Sequence, residues 1–385
     1  MLFRQGSCSV SLNPIADNTS ILIMAAGTGG HIFPALSIAQ KLAAKGVRTE
    51  WLGTASGMEN ELLADTDIAI HTISVQGLRG KGIARKLMAP FMLARALVQS
   101  IFVISRVKPR CVLGMGGYVS GPGGIAAKLM GKRLLIHEQN AVAGATNKIL
   151  AKFADRVFEA FPNTFAKNEK VIHTGNPLRE EIVAIAKGKQ GSGSAASTST
   201  SDAPLQILVL GGSQGAAAIN AAIPEMLARW GSDNPPKTYH QSGSTTFDET
   251  RKLYQSLSIE ISNDNRLVPF IDDMASAYRW ADLVVCRSGA STVCELAAVG
   301  LPSVLIPYPY HSDNQQKANA EWLSDNGAAL LIQQADLTID LLLKTLKDLD
   351  DVRSRLRTMA ERASSIAVRD ASERIATECL ESDHV

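Results

Sequence analysis

The sequence predicts an α/β protein in which two doubly wound parallel sheets face a central cleft. Three observations predict this class. Short β-branched strands alternate with helical stretches along the chain, each half opens with a strand that runs into a glycine loop, and a Gly/Ser-rich segment lies between the halves. Alternating strands and helices favour βαβ units and parallel sheets. A chain of 385 residues is also long enough for two such Rossmann-like domains.

Thirteen stretches are predicted to be strands, because they are short, aliphatic or β-branched, and bounded by turn residues. The first half contains ILIMAAG, RTEWLG, AIHTISV, RCVLGMG, RLLIHEQN, RVFEAF and KVIHTGNP. The second half contains QILVLGG, KTYHQSG, NRLVPFIDD, DLVVCRSG, PSVLIPYP and AALLIQQ. Ligands of such sheets bind at the carboxyl ends of the strands. The cleft between the two sheets is therefore the predicted site.

Composition sets the domain boundaries. Residues 1–19 lack the apolar core of a signal peptide and are predicted to be a flexible extension. The first domain is predicted over 20–177 and the second over 178–368, with a flexible Gly/Ser insertion at 187–204 that cannot bury a core. Asp370 and Glu373 have the spacing of a capping box. A last helix is therefore expected within 369–385, and it could return to the first domain.

Cysteine usage and charge indicate the compartment and the partners of the protein. The five cysteines are scattered, odd in number and outside any zinc spacing, which favours a reducing, cytosolic compartment. The net charge is only +2, yet the window between Asp67 and Glu138 holds eleven Lys and Arg residues and no acid. Such a window predicts an anionic partner: a phosphorylated substrate, nucleic acid or an acidic membrane face. A solvated basic surface is the ordinary alternative.

The apolar segment LMAPFMLARALVQSIFVI, residues 87–104, lies inside this basic window. Pro90, Arg95 and Gln99 interrupt it, so a membrane-spanning helix is not expected. One interpretation is a buried helix that begins near Pro90, since proline is favoured at the first helical position. The other is an apolar face that rests on an anionic bilayer. The basic residues beside it are Arg79, Lys81, Arg85 and Lys86.

Three glycine loops that follow predicted strands have the composition of phosphate-binding loops. They are AAGTGGH at 25–31, LGMGGYVSGPGG at 113–124 and GGSQGA at 211–216. Glycine lets a phosphate approach the backbone amides, and the start of the next helix adds partial positive charge. A dinucleotide fingerprint fits poorly, because Ile32 stands at the third glycine position and Glu50 lies within a strand. The loops therefore predict phosphate binding without a nicotinamide cofactor.

A fourth segment, CRSGASTVCE at 286–295, predicts a second diphosphate site. Ser288 to Thr292 would begin a helix whose amides can hold a diphosphate. The Glu295 carboxylate can accept hydrogen bonds from both ribose hydroxyls. Alternatively, it only stabilises its own helix by interacting with the positive end of the helix dipole. The amides of Asn314, Gln315 and Gln316 could bind sugar hydroxyls or cap a helix.

Taken together, these motifs resemble those of one family. In chain order they are GTGGHIFPAL, GMGGYVSGPGG, HEQNAVAGATNK, GNPLR, GGSQGA, FIDDM, CRSGASTVCE and DNQQ. They resemble the MurG family, the UDP-N-acetylglucosamine:N-acetylmuramyl-(pentapeptide) pyrophosphoryl-undecaprenol N-acetylglucosamine transferases, from about residue 20 to 375. Ala26, where the family usually has glycine, departs from the pattern, as do the N-terminal extension and the Gly/Ser insertion. The resemblance implies a GT-B fold, inverting transfer without a cofactor or tightly held metal, and a peripheral position on the cytoplasmic face of the bacterial inner membrane.

The resemblance also implies roles for individual residues. The donor UDP-N-acetylglucosamine would be held by Thr28, Gly29, Gly30, Asn140, Arg179, Ser213, Ile271, Ser288, Gly289, Ala290, Ser291, Thr292, Val293, Cys294, Glu295, Gln315 and Gln316. Within that set, the backbone of Ile271 would bind uracil, Glu295 the ribose and Gln316 the sugar hydroxyls. The acceptor would be lipid I, undecaprenyl-diphosphate-linked MurNAc-pentapeptide, and nucleic acid is not an expected partner. Its diphosphate would face Gly27, Gly116, Gly117 and Tyr118.

In the implied reaction, the 4-hydroxyl of N-acetylmuramic acid attacks the anomeric carbon of the donor sugar and UDP leaves. The product would be lipid II, the precursor of the peptidoglycan on which cell shape and division depend. A neutral imidazole is suited to accept the hydroxyl proton, so His31 is the predicted base and Glu138 its rival. Alternatively, His31 only caps its helix and orients the acceptor. Arg179 and backbone amides would stabilise the charge on the leaving diphosphate.

Two other functions fit parts of the sequence. UDP-sugar 2-epimerases share the architecture and the donor-side loops but need no lipid acceptor. The basic window with its apolar segment favours a transferase over an epimerase. A non-catalytic nucleotide-sugar binding module would keep the glycine loops and would not require His31 or Glu138.

Overall fold

The computed structural model describes residues 19–75, 83–192, 203–212, 215–231, 234–310 and 313–381. The predicted extension, apart from Thr19, lies outside the described residues. Residues 193–202 of the predicted insertion, the basic residues Arg79 and Lys81, and Ser213 lie outside them as well.

The first domain contains a seven-stranded parallel sheet. Its strands are β1 (Ser20–Met24), β2 (Arg48–Gly53), β3 (Ala69–Thr72), β4 (Cys111–Gly114), β5 (Arg133–Glu138), β6 (Arg156–Glu159) and β7 (Val171–His173). They lie in the order β3-β2-β1-β4-β5-β6-β7, and all neighbours pair in parallel. Its helices are α1 (Gly29–Ala44), α2 (Glu59–Leu62), α3 (Ile83–Val107), α4 (Ser120–Leu129) and α5 (Ala145–Leu150).

The second domain repeats this arrangement with six parallel strands. The strands are β8 (Gln206–Leu210), β9 (Lys237–Gln241), β10 (Asn265–Val268), β11 (Leu283–Cys286), β12 (Ser303–Leu305) and β13 (Ala329–Leu331). Their order is β10-β9-β8-β11-β12-β13, again parallel throughout. The helices are α6 (Glu180–Ser192), α7 (Ala217–Ala228), α8 (Phe247–Ser256), α9 (Met274–Trp280), α10 (Ala290–Val299), α11 (Gln315–Asp325), α12 (Ile339–Asp351) and α13 (Arg353–Ile366), with a 3-10 turn at Gln334–Asp336.

The predicted fold class is confirmed, because each of the thirteen predicted strand stretches contains one observed strand. Apolar side chains cover both faces of each sheet, as expected when helices flank a parallel sheet on both sides. Ile23 and Leu22, adjacent residues of β1, belong to separate cores on the two sides of the first sheet. Leu208 and Val209 of β8 do the same in the second sheet.

Two expectations about helix boundaries were wrong. Helix α3 begins at Ile83 rather than near Pro90, so this proline lies inside the helix. Proline removes one backbone N–H from the helix, and the packing of α3 along α4 helps to keep the helix continuous. Helix α6 runs to Ser192, so residues 187–192 of the predicted flexible insertion are helical. Alanine, lysine and glutamine, which favour helices, precede the glycines there.

The last helix, α14 (Ala371–Leu380), packs against the first domain. It begins directly after Asp370, but the Asp370 side chain makes no capping hydrogen bond, and Glu373 instead pairs with Lys45, the residue directly after α1, at 2.6 Å. Cys379 is fully buried in the first domain's core. Arg133 donates hydrogen bonds to the carbonyls of Glu378 at 2.6 Å and Glu381 at 3.0 Å. The chain therefore crosses between the domains twice.

Strand order positions the site. The strand order reverses once in each sheet. The reversal lies between β1 and β4 in the first sheet and between β8 and β11 in the second. Such switch points leave a crevice at the carboxyl ends of the strands, where ligands bind. The four glycine-containing loops singled out in the sequence follow these four strands.

Candidate active site

The two glycine loops of the first domain are in direct contact. Gly116 and Gly117 have φ angles of +97° and +75°, which favour glycine. A Cβ on Gly117 would lie 2.4 Å from the carbonyl oxygen of Ala26, and one on Gly116 would lie 2.8 Å from Cε1 of His31. Larger residues at these two positions would push the loops apart. The candidate acceptor residues Gly116 and Gly117 therefore lie directly against the loop that begins α1.

His31 lies in the first turn of α1, beside this junction. Its imidazole is half-exposed, and its Nδ1 lies 2.9 Å from Oε1 of Gln139. The Tyr118 hydroxyl oxygen would lie 3.6 Å from a Cβ at Gly27, so Tyr118 covers the first loop from the second. The structure thus brings the predicted base together with the predicted acceptor-side residues.

Glu138, the predicted rival base, holds a loop in place. Its carboxylate is 2% exposed. One oxygen accepts hydrogen bonds from the backbone and side-chain amides of Asn140, at 3.1 and 3.3 Å. The other accepts from Gly144 N at 3.0 Å and from the Asn147 side chain at 2.9 Å. These four donors occupy the carboxylate and fix the segment from 140 to 147.

The start of α10 forms the second-domain side of the site. Gly289 is the residue that precedes the helix, and Ala290, Ser291 and Thr292 make up its first turn. The Ser291 hydroxyl is buried and has no hydrogen-bond partner among the described residues. Ser288 is fully buried, and its hydroxyl donates to the carbonyl of Gln316 at 2.7 Å. Ser288 therefore positions α11 beside the helix start.

Val293 and Cys294, predicted to contact the donor, could do so only through their backbone. The Val293 side chain is fully buried, and Cys294 is 7% exposed, both within the core that supports α10. Burial raises the pKa of the Cys294 thiol, with a further contribution from the Glu295 carboxylate. The thiol is thus kept protonated and unreactive.

Arg179 and Glu295, predicted from separate motifs, form an ion pair with 3.2 Å between Nη2 and Oε1. Tyr278 donates its hydroxyl to the other carboxylate oxygen of Glu295 at 2.8 Å. Burial raises the pKa of Glu295, although Arg179 and Tyr278 act against this shift. Burial alone would lower the pKa of Arg179, but Glu295 and Glu181 raise it. The guanidinium also lies 5.8 Å from the ring of Phe33 in α1, so it joins both domains.

Asn319 connects the domains across the cleft, and the sequence reasoning missed it. Its fully buried side chain accepts from Ala141 N at 2.8 Å. It donates to Asn140 Oδ1 at 3.2 Å and to the carbonyl of Ser288 at 3.1 Å. The available signal was its position one helical turn after the DNQQ motif, on the side of α11 that carries Gln315 and Gln316.

The remaining residues predicted to bind the donor lie in α11, just beyond β10 and at the start of α1. Gln315 donates to the Val142 carbonyl across the cleft at 3.3 Å, and Gln316 accepts from Tyr308 N at 2.9 Å. Ile271, just beyond β10, is 3% exposed. Thr28, Gly29 and Gly30 lie at the start of α1, where the Thr28 carbonyl accepts from His31 N at 3.0 Å.

The third glycine loop packs on its own domain. Gly211 donates its amide to the Gln241 carbonyl at 2.8 Å. A Cβ on Gly215 would lie 2.8 Å from the carbonyl oxygen of Ser242, which leaves room only for glycine. This packing holds the two ends of the loop between β8 and α7, and the predicted contact of Ser213 with the diphosphate falls outside the described residues.

Known proteins share this arrangement. Residues 21–159 match the glycosyltransferase family 28 N-terminal domain, and residues 206–375 match the glycosyltransferase family 28 C-terminal domain. The UDP-N-acetylglucosamine--N-acetylmuramyl-(pentapeptide) pyrophosphoryl-undecaprenol N-acetylglucosamine transferase of Pseudomonas savastanoi pv. phaseolicola is 47% identical over 95% of this chain and 99% of its own length.

Solved structures agree with the sequence relatives. The crystal structure of Acinetobacter baumannii MurG matches with a TM-score of 0.78 and 41% identity, over 94% of this chain and 99% of that one. UDP-GlcNAc 2-epimerase from Neisseria meningitidis, bound to UDP-GlcNAc, matches with a TM-score of 0.64 over 94% of this chain and 99% of its own. At 14% identity, this second likeness shows the fold alone.

The fold and the site define a glycosyltransferase of family 28 with the GT-B fold. More narrowly, the chain belongs to the MurG family of N-acetylglucosaminyltransferases. The resemblance predicted from the sequence motifs is thus confirmed.

Proposed function

We propose that this protein transfers N-acetylglucosamine from UDP-N-acetylglucosamine to the 4-hydroxyl of N-acetylmuramic acid in lipid I, yielding lipid II for peptidoglycan. One observation carries the proposal for this chain. His31 lies where the two first-domain glycine loops meet, and the Arg179–Glu295 pair lies beside the same helix, α1, on the second-domain side. A candidate base and a candidate leaving-group site thus flank one cleft, and the names of the relatives supply the substrates.

The donor would bind on the second domain. The diphosphate would lie at the start of α10, where it would meet free backbone amides and the positive end of the helix dipole. Arg179 adds a permanent charge, so together they stabilise the negative charge that develops on the departing UDP. Binding of the ribose would engage Glu295, which is already oriented by Tyr278. The side chains of Gln315 and Gln316 would complete the pocket around the sugar.

The acceptor would bind against the first domain. Its diphosphate would approach the amides of Gly27, Gly116 and Gly117, with Tyr118 beside them. His31 would accept the proton of the attacking hydroxyl, a role that a neutral imidazole performs well near neutral pH. Glu138 would hold the 140–147 loop instead of acting as a base, because its four hydrogen bonds occupy the carboxylate.

A lipid-linked acceptor requires access to a membrane surface. Within the described residues, one helical stretch, Met88–Val107, is long and apolar enough to cross a membrane by length and composition, and 22% of it is buried. Its apolar residues Phe91, Val98 and Phe102 are 72%, 66% and 67% exposed. They recur at helical spacing, so they share one face. Arg95 and Gln99 lie within the stretch, and α3 packs along α4.

We infer from this arrangement that α3 lies on the membrane surface rather than across it. The exposed basic residues Arg95, Arg106, Lys108 and Arg110 would face anionic lipid headgroups. This contact would place the enzyme at the cytoplasmic face of the inner membrane, where the diphosphate of lipid I is within reach of the glycine loops.

Purified protein, UDP-N-acetylglucosamine labelled in the sugar and a short-chain lipid I analogue provide the test. The proposal predicts acceptor-dependent transfer of label, and His31→Ala should lower kcat by about 10²- to 10⁴-fold, the usual contribution of a general base. UDP binding by this variant should stay at the wild-type level, which excludes misfolding. If the labelled nucleotide sugar were instead inverted at C2 without any acceptor, the protein would be an epimerase. Equal transfer by wild type and His31→Ala would remove the base assignment.

A further inference from the structure

A row of hydrogen bonds leads from the segment that joins the domains to the imidazole of His31. Nδ1 of His31 lies 2.9 Å from Oε1 of Gln139. Nε2 of Gln139 lies 3.0 Å from Nδ1 of His137, and Nε2 of His137 lies 3.0 Å from the carbonyl oxygen of Gly175. Gln139 is 1% exposed and His137 is fully buried, so water cannot replace these partners.

The orientation of the Gln139 amide follows from a fixed acceptor. Its nitrogen end lies 2.9 Å from the carbonyl oxygen of Met115, which can only accept a hydrogen bond. The NH₂ group must therefore face Met115, and the amide oxygen must face His31. The opposite orientation would place oxygen against oxygen at the Met115 carbonyl, with no proton between them.

His137 independently requires the same orientation. The Gly175 carbonyl only accepts, so Nε2 of His137 must carry a proton. Burial lowers the pKa of His137 to about 4, with a smaller contribution from His31, so the imidazole is neutral and its Nδ1 has a free lone pair. That lone pair accepts the second N–H of the Gln139 amide. Both amide protons are thus used, and only the oxygen is left for His31.

We propose that Gln139 is a positioning residue that selects the tautomer of His31. An amide oxygen facing Nδ1 requires a proton on Nδ1, so the lone pair of the neutral imidazole is on Nε2. No group of the described residues hydrogen-bonds to Nε2. This inference rests on the proposed function, because it concerns the atom that would receive the proton of the acceptor hydroxyl.

The tautomer matters because a histidine side chain in water favours the form with its proton on Nε2. In that form the only lone pair would be on Nδ1, which points at Gln139 and away from the acceptor. The absence of a side chain at Gly116 leaves room for the ring, and Gln139 determines which nitrogen can act. Among the described residues, His137 beyond Gln139 interacts electrostatically with this imidazole, and Tyr118 covers the adjacent Gly27.

Gln139→Met tests the proposal, since methionine has a similar length and its thioether is only a weak hydrogen-bond acceptor for Nδ1. We expect kcat to fall about ten- to a hundredfold, part of a general base's contribution, with KM for UDP-N-acetylglucosamine unchanged. Gln139→Glu keeps an acceptor for Nδ1 and adds negative charge, which favours the charged imidazole. It should therefore retain more activity than Gln139→Met at high pH, and the acidic limb of its kcat/KM profile should move to higher pH. The second oxygen of this carboxylate faces the Met115 carbonyl, so folding of this variant is checked first by UDP binding.

Nitrogen-15 NMR of histidine-labelled protein measures the tautomer directly, with the His31 signal assigned from His31→Ala. The proposal predicts a protonated Nδ1 in the wild type and a shift toward protonated Nε2 in Gln139→Met. Tyr254→Phe is the matched control, because it removes a hydrogen bond of 3.1 Å to another buried imidazole, His240, in the second domain. Its kcat and pH profile should equal those of the wild type.

Two results would overturn the inference. One is a wild-type His31 protonated on Nε2, which can be observed even if a variant fails to fold. The other is a Gln139→Met enzyme with wild-type kcat and pH profile while His31→Ala is inactive. The second result would leave the proposed transfer reaction intact. Absence of any transfer by the wild type would instead remove the proposed function itself.

Discussion

Two buried histidines should make the stability of this protein fall steeply below neutral pH. The usual pKa of histidine is 6.5, whereas burial lowers the pKa of His137 to about 4 and that of His240 to about 3. Both folded pKa values lie below the unfolded one, so their stabilising contribution is complete above pH 6.5 and is lost as the pH falls toward the folded values. At pH 5 the unfolded chain binds protons that the folded imidazoles do not. Linkage then gives a loss of about 2 kcal/mol per residue between pH 7 and pH 5.

His240→Gln isolates one of these contributions, because glutamine retains polar atoms for Tyr254 and Asn220 but cannot become charged. Urea unfolding followed by tryptophan fluorescence reports mainly on the second domain, which contains Trp230, Trp280 and Trp322. Between pH 7 and pH 5 the variant should lose about 2 kcal/mol less stability than the wild type.

The control for this experiment is a substitution in the same domain that removes no titratable group. Asn326 is exposed, and Asn326→Ala should lose as much stability as the wild type over the same interval. If His240→Gln and the wild type lost equal stability, His240 would be charged in the folded protein, and the argument from burial would be refuted.

Three further outcomes can be checked by substitution. Asn319→Leu leaves its cross-cleft partners unpaired, so it should lower the free energy of unfolding by about 2–4 kcal/mol and raise KM for UDP-N-acetylglucosamine. Asn326→Ala, at the exposed residue directly after α11, should change stability by less than about 0.5 kcal/mol, and equal effects of the two substitutions would contradict the role of Asn319 between the domains. Arg179→Met leaves a buried carboxylate without its cation and should cost about 3–5 kcal/mol of stability as well as kcat, measured by urea unfolding and turnover; a fully active variant would exclude its role at the leaving group. Replacing Phe91 and Phe102 by serine should weaken binding to anionic vesicles about a hundredfold in sedimentation assays without changing UDP binding, and unchanged sedimentation would place the membrane contact elsewhere.

Local signals were sufficient to predict the sheets. Each strand of these domains is a short apolar run between turn residues, and the loops after β1, β4, β8 and β11 contain the glycines that a switch point requires. The start of α3 was not predictable in this way. A proline normally marks the first turn, and only the packing of α3 along α4 shows that this helix continues through Pro90.

Candidate site residues could be proposed from single motifs, but the partners of their side chains could not. Arg179 and Glu295 come from distant motifs, and no feature of either motif predicts that they form one ion pair. From the sequence, Glu138 is a candidate base. In the structure its carboxylate is hydrogen-bonded to residues within 140–147, and local composition does not predict these bonds. Gln139 and Asn319 were missed for a similar reason, since a buried amide is recognisable only when its partners are known.

The stereochemistry of the product is the most direct test of a single displacement between the two domains. UDP-N-acetylglucosamine has an α-linked sugar, so attack by the acceptor hydroxyl from the opposite side must form a β-linkage. Proton NMR of the disaccharide formed on a lipid I analogue should show the large anomeric coupling of a β-N-acetylglucosaminyl residue. An α-linked product, or a nucleotide sugar inverted at C2 and formed without any acceptor, would contradict the account.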